Sequence, residues 1–482
     1  MDGLTHQIGA CSEVVSPPVP SEARSGFVAT IKGACRKLQA PFCLCYSKAT
    51  QAELSMPHLQ TGFHPKFLTV WNEGYDFQKF KADIIAALTV AIVALPLSMA
   101  IAIASHVSPE RGIYTSIIGG FIISALGGSR FQIGGPAGAF IVLLASVVDR
   151  FGIDGLVLAT MMAGVIIFLI GAFRLGVVIR YVPHPVTLGF TAGIAVIIFA
   201  SQIKELLGLQ LQGQEPGAFL PKLQSLWQAL PSLNVYAVSI ALLTILVITL
   251  LRRYRPTWPG FLLAVFLASV IATFFSGHVD TIASRFGGIP SSLPNPHLPQ
   301  FEFQRLVQLL PSALSLALLG SIESLLSAVV ADGMSGRFHR SNTELMAQGL
   351  ANIASAMFGG IVATGTIART ATNIRAGAKS PVSGMLHAVF LLVFMVVAAP
   401  LAGFIPLAAL AGILAVVCWN MVDKVEIAQL LQASIVGVVV IVATFLLTIL
   451  VDLTSGILAG VFLSFVLAPQ AFLNGPRTNK QP

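Results

Sequence analysis

The sequence predicts an all-α polytopic membrane protein, and three observations carry that prediction. Hydrophobic residues make up 55% of the 482 residues and charged residues only 10%. Mean hydropathy is +0.85. Apolar runs at 84–104, 155–173, 235–251 and 433–451 are each about 20 residues long, enough for a helix to cross a ~30 Å hydrocarbon core. A chain so poor in polar groups cannot cover a water-soluble globule, which overrules the few soluble domains that length alone suggests.

Taken in order, residues 1–66 mix Ser, Pro, Gly and scattered charge without sustained periodicity. They read as a mostly disordered tail, extending to about residue 75. A short amphipathic piece at 67–80, FLTVWNEGYDFQKF, is expected at the membrane surface. Membrane spans follow at roughly 82–104, 109–127, 136–149, 155–174, 186–203, 234–252 and 258–276. A second set follows at roughly 310–332, 343–360, 367–378, 380–399, 404–421, 428–451 and 454–473. The expectation is about fourteen spans, seven in each half. Loops 204–233 and 277–309 are long, and the second, rich in Pro and Ser, links the halves.

The net charge of +8 reads as topology rather than as a nucleic-acid signal, because the basic residues are dispersed. Eight of them, from Arg24 to Lys81, precede the first span. Arg174 and Arg180, then Arg252, Arg253 and Arg255, then Arg337 and Arg340, and finally Arg477 and Lys480 fall in alternate loops. The positive-inside rule makes those loops and both termini cytoplasmic, which requires an even number of spans and places the protein in the cell membrane. The first residues lack an apolar core, so no cleavable signal peptide is expected. Cys11, Cys35, Cys43 and Cys45 lie in the tail, where thiols stay reduced. Cys43 and Cys45 form a lone CxC without a second pair, which argues against a metal site.

One polar stretch breaks the apolar pattern: 361–384, IVATGTIARTATNIRAGAKSPVSG, between runs 345–360 and 382–402 that read as built for lipid. It echoes 125–140, ALGGSRFQIGGPAGAF. Each has a Gly-Gly pair, a short strand-like run, another glycine and a small-residue helix start, and each falls in the third span of its half. Seven spans separate the copies, so the second is inverted relative to the first. Short or glycine-interrupted spans at matching positions point to a transporter's binding site. Extended backbone at membrane depth is tolerated only inside protein or beside a cavity. Helices that start there present free N–H groups and the positive end of a dipole, and two such ends facing each other make an anion site. Pro136 suits a first helical turn, and Thr364 or Thr366 would cap the other half-helix.

Arg369 adds a full charge to that site. The ordinary alternative is an arginine that snorkels to the headgroups. Its place three to five residues into a half-helix, on a face shared with Thr372 and Asn373, favours a cavity. Arg375 and Lys379 lie nearer the cytoplasmic end and read as topological charges. Glu323 falls close to the midplane of its span, where it would take up a proton or hold sodium with Ser321, Ser324 and Ser327; the alternative is an ion pair that only fixes helix packing. Pro96 is expected to break the first span near its centre. Gln132, Ala137, Gly138 and Phe140 belong to the first half-helix element, where small residues also suit close helix packing. His106, His184 and His387 have no companion ligands. No nucleophile–base pair, phosphate loop or metal spacing stands out, so no enzymatic activity and no cofactor are implied.

The segments FKADIIAALTVAIVALPLSMAIAIA, QIGGPAGAF, GSIESLLSAVVADGMSGRFHRSNTELMAQGLANI and GTIARTATNIRAGAKSPVSG, in that order, resemble the SulP sulfate permease family of anion transporters over about residues 77–475. The resemblance implies two intertwined inverted repeats of seven spans within a transporter domain at 76–476. A core (about 80–176 and 308–400) would move as an elevator against a gate (about 180–280 and 402–474). The anion would lie between Gly135–Phe140 and Thr366–Arg369, with Gln132 and Ala368 among its neighbours. The family's coupling acid maps to Glu323, beside Ser327. Substrates would be sulfate, bicarbonate, chloride or dicarboxylates, with a proton or sodium as coupling ion and a homodimer as the assembly. Members commonly carry a cytoplasmic STAS domain after the last span, and this chain ends about ten residues past it, at the short terminus 477–482.

The leading expectation is therefore secondary active transport of a small anion. An uncoupled exchanger or channel is the first rival. A nucleobase permease would prefer carboxylates or amides over Arg369, and a membrane scaffold would leave the paired half-helices unexplained.

Overall fold

The computed structural model describes residues 63–176 and 183–467, apart from positions 212, 214, 217, 256, 257, 276, 434 and 452. Of the tail expected at 1–75, residues 1–62 lie outside the described residues, as does the C-terminus 477–482. What is described is almost wholly helical. Seven helices are long and apolar enough to cross a membrane, and three shorter apolar helices accompany them among the described residues.

Helix α1 (Lys66–Asn72) and helix α2 (Phe77–Ala104) replace the single amphipathic piece expected at 67–80. Gly74, at φ 82°, ends one, and the Asp76 carboxylate accepts from the Lys79 amide at 2.8 Å to start the other. Pro96 does not break α2, which runs unbroken through it. A proline removes one hydrogen bond, and surrounding helices hold the axis in place. Helices α3 (Pro109–Tyr114) and α4 (Gly120–Leu126) are joined by a π turn at Thr115–Gly119. Strand β1 (Gly134–Gly135) and a 3₁₀ turn (Gly138–Phe140) lead into α5 (Ile141–Ala172). That helix kinks at Gly152, where φ is 70°, which separates the two spans expected at 136–149 and 155–174.

Next come α6 (His184–Leu207), α7 (Phe219–Ala229), α8 (Val235–Tyr254), α9 (Gly260–Phe274) and α10 (Ile282–Phe286). The second half holds α11 (Phe303–Ser335), α12 (Ser341–Met357), strand β2 (Thr364–Gly365), α13 (Ile367–Arg375) and α14 (Val382–Ala402). It closes with α15 (Leu407–Met421), α16 (Lys424–Ala433), α17 (Ile435–Leu450) and α18 (Leu453–Leu467). The span expected at 428–451 falls on α16 and α17, on either side of position 434. The linker 277–309 is pinned: the Ile282 amide donates to Ile405 O at 3.0 Å and the His297 amide to Met357 O at 2.9 Å.

The helices pack in two groups, each drawn from both halves of the sequence. In one, α5 packs on α11 and α12, and α14 on α2 and α4, with α13 held between α2 and α11. In the other, α6 packs on α15 and α17, and α8 on α9 and α15. Helix α2 meets α9 and α15 where the groups touch. A continuous apolar core of buried residues from α2, α5, α6, α11 and α15 fills the join.

Candidate functional site

The two glycine-bearing elements meet. Strands β1 and β2 pair antiparallel, Gly134 opposite Gly365 and Gly135 opposite Thr364. Each strand is glycine where a side chain from the other copy passes over it. A methyl group on Gly135 would strike the Arg369 guanidinium and the Ser116 hydroxyl, and one on Gly365 would strike the Gln132 amide.

Extended backbone here must find partners within the protein, and it does. For the second copy, the Asn352 side chain both donates to Ala363 O and accepts from the Ala363 amide, each at 2.9 Å. Gln348 Nε2 also donates to Ala363 O, at 2.6 Å. Ser355 donates to Ile361 O at 2.8 Å, and the Ile361 amide donates to Thr115 Oγ1 at 2.7 Å. For the first copy, the Ile133 amide donates to Thr370 Oγ1 at 3.1 Å, the Thr366 amide to Ile133 O at 3.0 Å, and Asn373 Nδ2 to Phe131 O at 3.0 Å. Helix α12 is therefore a polar brace inside the protein, not the lipid-facing run expected at 345–360.

No side chain caps α13, contrary to the expectation for Thr364 or Thr366. The Thr366 hydroxyl donates to Ile133 O at 3.2 Å and that of Thr364 to Gly320 O at 3.2 Å. The 3₁₀ turn before α5 is likewise uncapped, with Ala137 at its N-cap position, one residue beyond Pro136. Two helix starts with free amides thus flank the strand pair.

The Arg369 side chain is 1% exposed. Its Nη1 donates to Ser116 Oγ and its Nη2 to Ser98 Oγ, both at 3.0 Å, while Nε has no partner. Among the described residues no carboxylate lies within ion-pair distance of it. A guanidinium at this depth without a counter-charge, beside two helix N-termini, is a concentration of positive potential that favours an anion. His387, fully buried and within reach of the Arg369 charge, has no partner at either ring nitrogen.

The other expected residues divide. Ala368 is exposed and Gly138 half-buried, so the start of α13 and the 3₁₀ turn keep accessible surface amid buried neighbours. Gly138 faces Ile198 of α6 and Met421 of α15, across the join between the groups. Phe140 and Ala137 are buried; Phe140 packs toward Gly320. Gln132 Nε2 donates to Ser324 Oγ at 2.9 Å, leaving its Oε1 without a partner. Glu323 is half-buried, and its Oε2 is buried without a partner. Among the described residues it forms no ion pair. Ser327, one turn after Glu323 on α11, donates to Thr370 Oγ1 at 3.3 Å. Arg375 and Lys379 are exposed.

Sequence reasoning missed Gln348, Asn352 and Ser355, whose spacing of four and then three puts them on one helical face. It also missed Ser98, Ser116 and the chain from Asp332 to His339 (2.6 Å) to Ser341 (3.0 Å). That chain has the connectivity of a hydrolytic triad, but Ser341 is buried at the start of α12, where it ties two helices.

The sulfate permease family model matches residues 80–444. The putative sulfate transporter YvdB of Bacillus subtilis (strain 168) is 45% identical over 410 residues, covering 85% of this chain and 77% of the relative. The bicarbonate transporter BicA of Picosynechococcus sp. is 33% identical over 411 residues, covering 83% of this chain and 72% of that one. The solved transmembrane domain of a cyanobacterium BicA superposes with a TM-score of 0.73 at 32% identity, over 80% of this chain and 98% of that chain. Murine Slc26a9 in the inward-facing state shares the fold, with a TM-score of 0.77 at 18% identity, over 95% of this chain and 76% of that one.

Proposed function

This chain belongs to the sulfate permease family, and from that premise we propose that it carries a small anion of the sulfate or bicarbonate class across the cell membrane. The single observation that carries the reading is Arg369, buried at the junction of two uncapped helix starts with no carboxylate within ion-pair distance among the described residues. The names of its relatives, a putative sulfate transporter and a bicarbonate transporter, fit that chemistry.

The mechanism we infer is alternating access between the two helix groups. The group holding β1, β2 and Arg369 (about 80–176 and 308–400) is the moving core, and the group of α6, α8, α9, α15, α17 and α18 is the gate. The anion sits against the amides at the starts of the 3₁₀ turn and α13, beside Gly138 and Ala368, with Arg369 supplying charge from behind. Glu323 is the coupling group: a carboxylate with a buried, unpartnered oxygen takes up a proton or a sodium ion to relieve that cost. We assign the path to the strand pair to Ser327, one turn further along α11, whose hydroxyl donates to Thr370 Oγ1, which also accepts from the Ile133 amide. Uptake of radiolabelled sulfate and bicarbonate into proteoliposomes, with and without a proton or sodium gradient, tests this reading. Uptake of neither anion above protein-free vesicles overturns it.

A further inference from the structure

Helix α1 grips the chain just before the first strand. The Lys66 amide donates to Gly127 O at 2.9 Å. Arg340 Nη1 donates to His64 O at 2.9 Å and to Thr69 Oγ1 at 3.0 Å, while the Arg340 amide donates to Gly128 O at 2.9 Å. Arg130 reaches both oxygens of Glu73 at 2.7 Å. The Ser129 amide donates to the buried Glu344 carboxylate at 2.9 Å. Each of residues 127–130 is thus held, and three of the four by α1, by its C-cap residue Glu73 or by the arginine that holds α1. The next residue, Phe131, begins the first crossing segment, which ends in β1.

The opposite face of α1 and the start of α2 are exposed, their rings lying against residues of their own helices, Trp71 6.1 Å from Phe67 and Phe77 6.4 Å from Phe80. Leu68 is 52% exposed, Trp71 65% and Phe77, at the start of α2, 77%. Phe338, in the loop that carries Arg340, is 81% exposed. Lys81, one turn after Phe77, and Arg337, whose charge acts on Glu73, are exposed beside them. Only residues 73–76 separate α1 from α2, so α1 lies within roughly 14 Å of the start of α2, the first membrane-spanning helix. An apolar face with an interfacial tryptophan and flanking cations at that depth matches the headgroup region of an anionic leaflet.

We propose that α1 is a membrane-surface anchor: Leu68, Trp71, Phe77 and Phe338 seat in the lipid interface, Lys81 and Arg337 meet anionic headgroups, and the clamp on residues 127–130 passes this seat to the strand pair. The lipid leaflet thereby sets how firmly the first strand is held. This holds whatever anion is carried, because its first readout needs no transport.

The test uses the full chain in vesicles of phosphatidylcholine, with or without phosphatidylglycerol. Trp71 is kept as the only tryptophan by replacing Trp227, Trp258 and Trp419 with Phe. Brominated phosphatidylcholine is expected to quench Trp71 emission and aqueous iodide is not, with deeper quenching when phosphatidylglycerol is present. In Leu68→Ser/Trp71→Ser, amide exchange at 127–131 is expected to accelerate and uptake to slow, at unchanged helix content. Quenching by iodide alone, or shielding from both quenchers that rises with protein density and so reports a second copy on this face, overturns the proposal. So does unchanged exchange at 127–131 in the double variant.

Discussion

The Arg369 guanidinium lies against the backbone of Gly135, so close that a methyl group on that glycine would meet both Nη1 and the central guanidinium carbon. The side chain that supplies the charge and the strand that supplies the backbone are therefore fitted to each other. Gly135→Ala is expected to force Arg369 off Ser98 and Ser116, destabilise the protein by about 1–3 kcal/mol, and abolish uptake. Thermal unfolding in detergent and vesicle uptake check both outcomes.

Arg369→Ala is expected to eliminate anion uptake while leaving helix content and detergent stability near those of the parent. Arg369→Lys retains the charge, but one ammonium cannot reproduce the planar fork that reaches two hydroxyls. Uptake should survive there with a raised KM and a smaller maximal rate. Normal uptake in the alanine variant would remove Arg369 from the site.

Glu323→Gln keeps the shape and cannot ionise. Uptake by this variant should lose its dependence on pH and on sodium while the anion still binds. An unchanged response to either cation would make Glu323 a structural residue.

Asn352 satisfies both the N–H and the C=O of Ala363. Leaving buried peptide groups unpaired costs roughly 1–3 kcal/mol each. Gln348 still reaches the Ala363 carbonyl, so Asn352→Ala should cost about 2–3 kcal/mol, mainly from the orphaned amide. Asn352→Asp keeps the acceptor and should cost less. Thermal melts of the two variants should rank in that order.

Glu73 offers a pH test outside the bilayer. The hydrogen bond from Arg130 is the main reason its carboxyl sits below the usual range. A depressed folded pKa means the pair contributes above the unfolded value, about 4.3, and is lost as pH falls through the folded value. Emission from the single-Trp71 protein should therefore show an acid transition below the unfolded glutamate value that Glu73→Gln abolishes.

Much of the fold was legible because the bilayer imposes a length on each apolar run. The span expected at 186–203 is found as His184–Leu207, and that at 234–252 as Val235–Tyr254. The paired glycine elements were legible because glycine and short interrupted spans have few other uses at that depth. What was not legible is what the polar groups bond to. Pro96 looked like a break, but helix continuity depends on neighbours that sequence does not specify. Asn352 and Gln348 were hidden in a run, 345–360, that read as built for lipid, although their helical spacing was visible. Ser98 and Ser116 are ordinary serines until the π turn and α2 bring them together on Arg369.

The union of β1 with β2 also bears on how the protein is made. Ile133 and Thr366, which close that union, are 233 residues apart in sequence. At synthesis rates of about 5–20 residues per second, the first strand waits roughly 10–50 s before its partner leaves the ribosome. Throughout that interval the peptide groups of residues 131–135 have neither the second strand nor α13 to pair with. The first half is thus a nascent intermediate with exposed polar backbone in the membrane, and its safe passage depends on water or on the insertion machinery until the second half arrives.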